Sequence, residues 1–536
     1  MLSKKIILIF PFILLLLSLF SGCIFEDIVM GGSSFELKNW SITEKEGFTS
    51  LFLDFKCDEK VFLKTYSSNG KLIDTEYFYG SDTAFLDIGS YRETIHSKKV
   101  LLKVFNEKEK IVEDKTKEFS FTGPDIDLVS SSFNVWKKNS KTSLIELKFV
   151  LFNNGDTPVY PEKMKVTYDG EIYEGLILPC TIIPGSSKEI YSFIYIEDID
   201  MESSIDLEIL DKSSLTLFQR ELTFDDIDYC ETASYTAGLD SRLLIPVPDY
   251  LYSYYNSKEL IVDDYSAFVL DIYDEEYIDL FIELFIDNLI YSDYFDSFND
   301  PKKINEVANF IQRLDYIPDY EEGEEETEDP QYPIETLFRN NWKGGGDCED
   351  KAILIANVLK NMGYNVSLLR IPNHMAVGVE LSEEALPEYD YYVDNYYFLD
   401  TSPEELGKIY SKYKDPSELD IYPANNRAFI DHFWKNGTLT IYTDSNNKKS
   451  IKVVVYIDNL GNKKACDLEL KAIFYTVLDI EIDEESFGLT DIEPYSRIKK
   501  VISLDVPSGI SSKFDTRIYM DNEEVSKKSS KSIISN

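Results

Sequence analysis

Over most of its length the chain alternates apolar and polar residues in short runs bounded by turn residues, the period-two signature of half-buried strands. Residues 49–55, 60–66, 83–88 and 100–106 read as strands of a first β-sandwich over 34–122, with Ser68-Asn69-Gly70 as a tight turn after the second. A second sandwich is expected over 125–223. It has strands at 143–152 and 163–168, a turn at Asn153-Asn154-Gly155-Asp156 and a proline-marked turn at Ile183-Pro184-Gly185. The same order returns late in the chain: strand 449–457, turn 458–462, strand 468–475, a proline-marked turn at Ile492-Glu493-Pro494-Tyr495, then a final run. Comparing 144–191 with 449–504 gives a weak internal repeat, which turn chemistry alone would also produce. It predicts a third sandwich over 437–525, and a Ser/Lys-rich tail beyond Glu524 that frays.

Between the second and third sandwiches the period changes. Tyr277, Leu280, Phe281, Leu284 and Phe285 share one helical face within 275–290. A second helix is expected over 301–314, with Asn299 and Asp300 as cap candidates and Ile304, Val307, Phe310, Ile311 and Leu314 on its buried face. A third, over 347–362, is apolar on most of its girth and is expected to be buried. Strands follow at 365–371, 374–380 and 391–399. Helices first and strands after predict an α+β domain over 230–435. An acidic loop interrupts it at 321–329, with seven carboxylates in nine residues. That loop reads as a solvated excursion, and the aromatic run at 389–398 as strand packing.

Composition narrows the partners. At 536 residues the chain exceeds the roughly 250–300 residues at which a single core stops growing, so several domains are expected. A formal net charge of −43 repels phosphate backbones and excludes nucleic acid as a natural partner. At the N-terminus Lys4 and Lys5 precede an apolar run of fifteen residues (6–20), short for a span of about 20. Leu19-Phe20-Ser21-Gly22-Cys23 then resembles a lipoprotein lipobox, in which Cys23 is lipidated; an uncleaved signal anchor is the alternative. Either reading tethers residues 24–536 to a cell membrane on its outer side. The six cysteines are widely spaced with no CxxC pair, which predicts neither a disulfide framework nor a zinc knuckle.

Candidate chemistry is concentrated in one place. Cys348 follows Gly344-Gly345-Gly346-Asp347 at the expected start of the third helix; His374 opens a strand after Pro372-Asn373, and Asp400 closes the next one. A helix N-terminus favours a thiolate, and its first amides can receive an oxyanion. A histidine serves as base, and an aspartate fixes its tautomer. Each residue also has a plain reading: a small apolar side chain, a structural histidine, and a cap for the segment beginning at Pro403. The chain has only three histidines, and no nucleophile lies near His96 or His432 in sequence.

Four segments carry a resemblance: Tyr332-Pro333-Ile334-Glu335-Thr336-Leu337, Gly345-Gly346-Asp347-Cys348-Glu349-Asp350, Asn361-Met362-Gly363-Tyr364 and His374-Met375-Ala376-Val377-Gly378-Val379. With Tyr316-Ile317-Pro318-Asp319 upstream, they resemble the transglutaminase-like superfamily, in particular its archaeal and bacterial cysteine proteinases. The match spans about 303–405. It implies a papain-like α+β core flanked by sandwiches, of which 144–191 resembles immunoglobulin-like adhesion modules. It further implies Cys348 as nucleophile, His374 as base and then acid, and Asp400 as orienter, acting on protein or peptide amides by hydrolysis or by crosslinking to an amine. Leu399-Asp400-Thr401-Ser402 departs from the Glu-Thr-Thr of close relatives, and Trp342 is only a guess for the oxyanion site. Asp347 and Glu349 crowd Cys348 with negative charge, which raises a thiol pKa. In related periplasmic proteinases residues at these positions bind calcium, so Asp347 and Glu349 are candidate Ca²⁺ ligands. The rival expectation is a non-catalytic surface protein with an inactive core. Nothing in the sequence indicates an oligomeric state.

Overall fold

The computed structural model describes residues 35–57, 60–79, 82–96, 98–106, 111–236, 242–258, 264–289, 295, 297–319, 329–381, 392–393, 396–408, 419–435, 439–443, 449–530 and 534. Cys23, the 6–20 run and most of the acidic loop therefore lie outside the described residues. The molecule is multidomain and largely β. Among the described residues no helix is long and apolar enough to cross a membrane.

Seven strands make the first sandwich: β1 (Phe35–Lys45), β2 (Phe48–Cys57), β3 (Lys60–Ser67), β4 (Leu72–Tyr79), β5 (Asp82–Tyr91), β6 (Lys98–Asn106) and β7 (Ile111–Phe121). One sheet runs β1-β2-β5 and the other β4-β3-β6-β7. Alternate residues Leu51, Leu53 and Phe55 meet Leu63, Val100, Leu102 and Val104 between them. Gly70, at φ +83°, closes the β3–β4 turn by donating its N–H to Ser67 O at 2.9 Å. The sequence pattern missed β1, β4 and β7, whose apolar alternation is interrupted by charged residues.

The second sandwich repeats that order with β8 (Ile126–Lys138), β9 (Lys141–Asn153), β10 (Lys163–Tyr168), β11 (Glu171–Leu176), β12 (Ser187–Ile196), β13 (Ser204–Leu210) and β14 (Thr216–Thr223), as sheets β12-β9-β8 and β11-β10-β13-β14. A short β15 (Ile227–Tyr229) adds to β8 in parallel and leads out of the domain.

The helical unit opens with a hairpin the sequence did not announce, β16 (Thr232–Thr236) and β17 (Arg242–Pro246). Among the described residues six helices follow: α1 (Asp249–Tyr255), α2 (Ser266–Val269), α3 (Glu275–Asp287), α4 (Asp300–Gln312), α5 (Pro333–Trp342) and α6 (Cys348–Asn361). Asn299 caps α4, accepting from Lys302 N at 3.3 Å. Every residue of α6 from Glu349 to Leu359 is buried. The helix is wedged between α3, α4 and α5 on one side and a sheet on the other. That sheet comprises β18 (Asn365–Ile371), β19 (His374–Glu380), β20 (Tyr392–Val393), β21 (Tyr396–Leu399) and β22 (Asp420–Pro423), in the order β20-β21-β19-β18-β22. The single strand expected over 391–399 is thus two, paired antiparallel with Tyr392 opposite Tyr397.

The third sandwich comprises β23 (Ile430–Trp434), β24 (Thr440–Thr443), β25 (Lys449–Asn459), β26 (Leu468–Thr476), β27 (Glu481–Gly488), β28 (Ser496–Asp505), β29 (Ser512–Met520) and β30 (Glu523–Ser529). β23 and β24 flank the two ends of β25 as one interrupted strand, β28 lies on its other side, and the second sheet runs β27-β26-β29-β30. Two expectations are corrected here. The sheet begins at Ile430 rather than at 437, because β23 pairs with β25. The tail is not frayed to 530: β30 pairs with β29, and Ile534 is 3% exposed and bridges to Ser512.

Candidate active site

The loop before Cys348 is held on both sides by backbone bonds. Gly345 N donates to Thr336 O at 2.9 Å, Gly346 N to Asp315 O at 3.0 Å, and Ile317 N to Gly346 O at 3.3 Å. The glycines are required here. Gly344 and Gly345 have φ of +72° and +150°, and a Cβ on Gly346 would stand 2.4 Å from Asp350 Cβ. The chain arrives from a strained turn: α5 unwinds after Phe338, and Asn340, Asn341 and Trp342 all have positive φ. That turn sends Trp342 against Tyr252 and Phe338, with ring centroids 5.3 and 6.2 Å away. No contact of Trp342 supports the oxyanion role guessed from sequence.

Cys348 is the first residue of α6, and Asp347 is its N-cap. Asp350 returns a bond to this end, accepting from Asp347 N at 3.3 Å. It also accepts from Gln331 N (2.8 Å) and from Arg339 Nη1 (3.2 Å), so this buried carboxylate ties α6 to α5. The Cys348 thiol is half-buried and donates to Glu349 Oε2 at 3.2 Å. Burial raises its pKa first, and the Glu349 and Asp347 carboxylates raise it further; the nearby Met375 backbone amide works the other way without reversing the sum. The helix terminus therefore does not yield the resting thiolate that its position suggested.

That proximity to Met375 places the sulfur at the start of β19, beside His374. His374 is 8% exposed, and its Nε2 lies 3.1 Å from Asp400 Oδ1. With a carboxylate as partner, Nε2 carries the hydrogen, and proton exchange with a thiol falls to Nδ1. Asp400, fully buried, follows β21, whose Leu399 pairs with Val377 of β19; continued by one residue, this register sets Asp400 beside Ala376, two positions from His374 along β19 and within its reach. Burial acts to raise its pKa, but the bonds from His374 and from Ser402 N (2.8 Å) and Oγ (2.6 Å) outweigh that and hold the carboxyl below its usual value.

Three supporting residues escaped the sequence reading. Gln312 Nε2 donates to Asp400 O (2.8 Å) and Glu404 O (3.1 Å). Lys351 Nζ donates to Leu314 O (2.7 Å) and Gln312 O (3.3 Å), linking α6 to the end of α4. Thr401 Oγ1 donates to Met375 O at 3.2 Å. The signal was a polar residue on an otherwise apolar helical face, visible at both Gln312 and Lys351. The other two histidines have structural partners: His96 meets Asp211 at 2.6 Å, and His432 lies between Ser526 and Thr516. None of the five described cysteines is disulfide-bonded.

Ligand atoms of Asp347, Cys348 and Glu349 lie within 4.8 Å of one another. Two carboxylates and a soft thiol fall short of the six to eight oxygens calcium takes, so among the described residues the set does not make a calcium site by itself.

No family model matches the chain, and no curated protein matches it. Among solved structures, red sea bream transglutaminase is similar at 9% identity over 71% of this chain and 79% of that one, with a TM-score of 0.19. Amycolatopsis orientalis exo-chitosanase CsxA is similar at 9% identity over 90% of this chain and 76% of that one, at 0.14. The YadV chaperone matches at 8% identity over 35% of this chain and 100% of its own, at 0.13. At such TM-scores these likenesses are distant, and none carries an argument about this chain's fold or activity.

Proposed function

We propose that the chain is a membrane-tethered extracellular thiol enzyme of transglutaminase-like type, hydrolysing protein or peptide amides through Cys348, His374 and Asp400. The observation that carries this is the His374–Asp400 pair at the start of β19, next to the Met375 amide near the Cys348 sulfur. Because the resting sulfur is a thiol, attack requires a base. His374 Nδ1 takes the S–H proton as sulfur bonds to the amide carbon, and Asp400 stabilises the imidazolium. The imidazolium then gives that proton to the leaving nitrogen as the C–N bond breaks, leaving a thioester. Water, losing a proton to His374, displaces the sulfur, and the thiol is restored by that proton. A substrate amine in place of water gives a crosslink; the resemblance to proteinases favours water. Lipidation of Cys23, or a signal anchor, supplies the tether in this reading.

Labelling with a thiol-directed peptide-amide electrophile tests it. With the labelled peptide identified so that the exposed Cys466 is read separately, wild type is expected to label at Cys348, Cys348→Ala to lose that labelling, and His374→Ala to label there about 10²–10⁴-fold more slowly. Equal labelling of wild type and Cys348→Ala defeats the reading. The raised pKa of the thiol favours a second one, a non-catalytic surface protein with an inert core. It predicts no labelling of wild type at Cys348 under any condition. Calcium at Asp347 and Glu349 would offset their charge. If it binds there, chelator lowers both the labelling rate and the thermal midpoint, and added Ca²⁺ restores both; indifference of the midpoint and the labelling to chelator removes calcium from the site.

A further inference from the structure

The third sandwich ends in an apolar tip. The β26–β27 turn exposes Val477 (47%), Leu478 (78%) and Ile480 (62%), and the β28–β29 connection exposes Ile510 (42%). Pairing of Thr476 with Ser512 sets the two loops side by side. Asp479, the one acid among the turn residues 477–480, is neutralised by Lys513 at 2.8 Å. Single exposed apolar side chains are ordinary; four on adjoining loops are a patch.

Register decides which way the tip points, because the first and third sandwiches pack alongside each other. Arg497, at the start of β28, donates to Glu46 O in the β1–β2 turn at 3.2 Å. Lys499, two residues on, pairs with Asp87 of β5 at 2.8 Å. Lys452, opposite Ser503, reaches Glu76 at 3.6 Å and the Phe78 ring at 4.8 Å. Travel along β28 from Arg497 to Asp505 therefore matches travel along β5 from Tyr91 toward Asp82. Through β2, that is also travel along β1 from Lys45 toward Phe35. The distances are similar: eight residue steps on β28 and ten on β1, roughly 26 and 33 Å at about 3.3 Å per residue, with the tip loops extending the shorter path. Phe35, where residues 1–34 and their apolar 6–20 run join the fold, thus faces the same way as the tip.

We propose that Val477, Leu478, Ile480 and Ile510 rest in the outer face of the bilayer that the N-terminal segment enters, so that the chain stands on the membrane at two points. This rests on the tethered reading above. A second contact fixes the orientation of the body on the bilayer and the height of the Cys348 site. The lipid surface that suits it is neutral, since the net charge is −43 and the tip's own acid is paired.

The test uses the full chain reconstituted in phosphatidylcholine vesicles with brominated acyl chains, carrying Leu478→Trp or, as a control on the second sandwich, Ile172→Trp. Ile172 is 66% exposed. The fluorescence added by L478W is expected to shift to the blue and to be quenched several-fold more than that added by I172W. Equal quenching while the chain floats with the vesicles overturns the tip contact and leaves the tether intact. A chain that does not float overturns the tether, and this inference with it. A blue shift that grows with protein concentration in the absence of lipid assigns the tip to a second copy of the chain and overturns the lipid contact.

Discussion

Asp400 Oδ1 receives three donors at once, from His374 and from Ser402 N and Oγ, and its backbone carbonyl receives a fourth from Gln312. This convergence fixes the histidine ring through groups that take no part in chemistry. Gln312→Leu leaves the buried Asp400 carbonyl and the part-buried Glu404 carbonyl without their donor, at about 1–3 kcal/mol for the buried one. It is expected to lower the denaturant midpoint and to slow Cys348 labelling together, and a midpoint shift with unchanged labelling would remove Gln312 from the positioning of Asp400. His432 makes a residue-scale prediction of a different kind. Burial lowers its pKa to about 4 from an ordinary 6.5, so the folded state holds it neutral while the unfolded chain takes up a proton below 6.5. The third sandwich keeps full stability from this group above pH 6.5 and loses it as pH falls toward 4, by about 3 kcal/mol in all. Denaturant titrations followed by hydrogen exchange of β23 and β29 should show that slope, and His432→Gln should flatten it.

At the scale of elements, two asparagines explain the repeat. Asn153 ends β9, donates to Thr157 O (2.8 Å) and Ile182 O (3.0 Å), and accepts from Gly155 N (2.9 Å). Asn459 ends β25 with the same three bonds, to Lys463 O (2.7 Å), Ile492 O (3.1 Å) and from Gly461 N (3.1 Å). Each pins a strand end to the proline-marked turn that follows, which is why an Asn/Gly turn and a Pro turn recur together in the sequence. The first sandwich shares the strand order, but β2 ends at Cys57 instead, so its kinship is invisible to that pattern. Asn153→Leu or Asn459→Leu is expected to cost about 2–4 kcal/mol, read as a lowered unfolding midpoint confined to its own sandwich. Helix α1 shows what local reading misses. Its N-cap, Pro248, offers no side-chain bond, and the cap comes from Glu146 on β9, which accepts from Leu251 N at 2.8 Å and Tyr250 N at 3.2 Å. Burial pushes the Glu146 carboxyl up to about 7.

At the scale of the whole molecule the domains close on themselves. The first and third sandwiches, at opposite ends of the sequence, meet at Lys499, which lies 2.5 Å from Asp74, 2.8 Å from Asp87 and 3.9 Å from Glu76. Burial works against this ammonium, but the three carboxylates outweigh it and hold its pKa above the usual value. Arg427 pairs with Asp264 at 2.6 Å and Tyr495 donates to Leu270 O at 3.2 Å, tying the third sandwich to the helical unit as well. Lys499→Met leaves the buried Glu76 and Asp87 and the part-buried Asp74 without that cation, a loss of about 3–5 kcal/mol. Faster hydrogen exchange along β5 and β28 and a larger radius of gyration in solution scattering are expected; a variant with wild-type values for both would show that Lys499 does not hold the ring closed.

The sequence by itself determined what depends on neighbours a few residues away: the alternation that makes strands, the helical face of α3 and α4, the Asn/Gly turns and the buried α6. It also singled out Cys348, His374 and Asp400 as residue types in an order suited to one chemistry. Tertiary structure decided which of those residues meet and what surrounds them. The donor to the Asp400 carbonyl is 88 residues away, the cap of α1 105 residues away and the partner of Lys499 425 residues away. No periodicity reports such distances, because each contact is set by how finished elements pack. The state of the Cys348 thiol belongs to the same class. Its acidic neighbours were visible in the chain, but the burial and the Met375 amide that weigh against and for its ionisation exist only once β19 lies against α6.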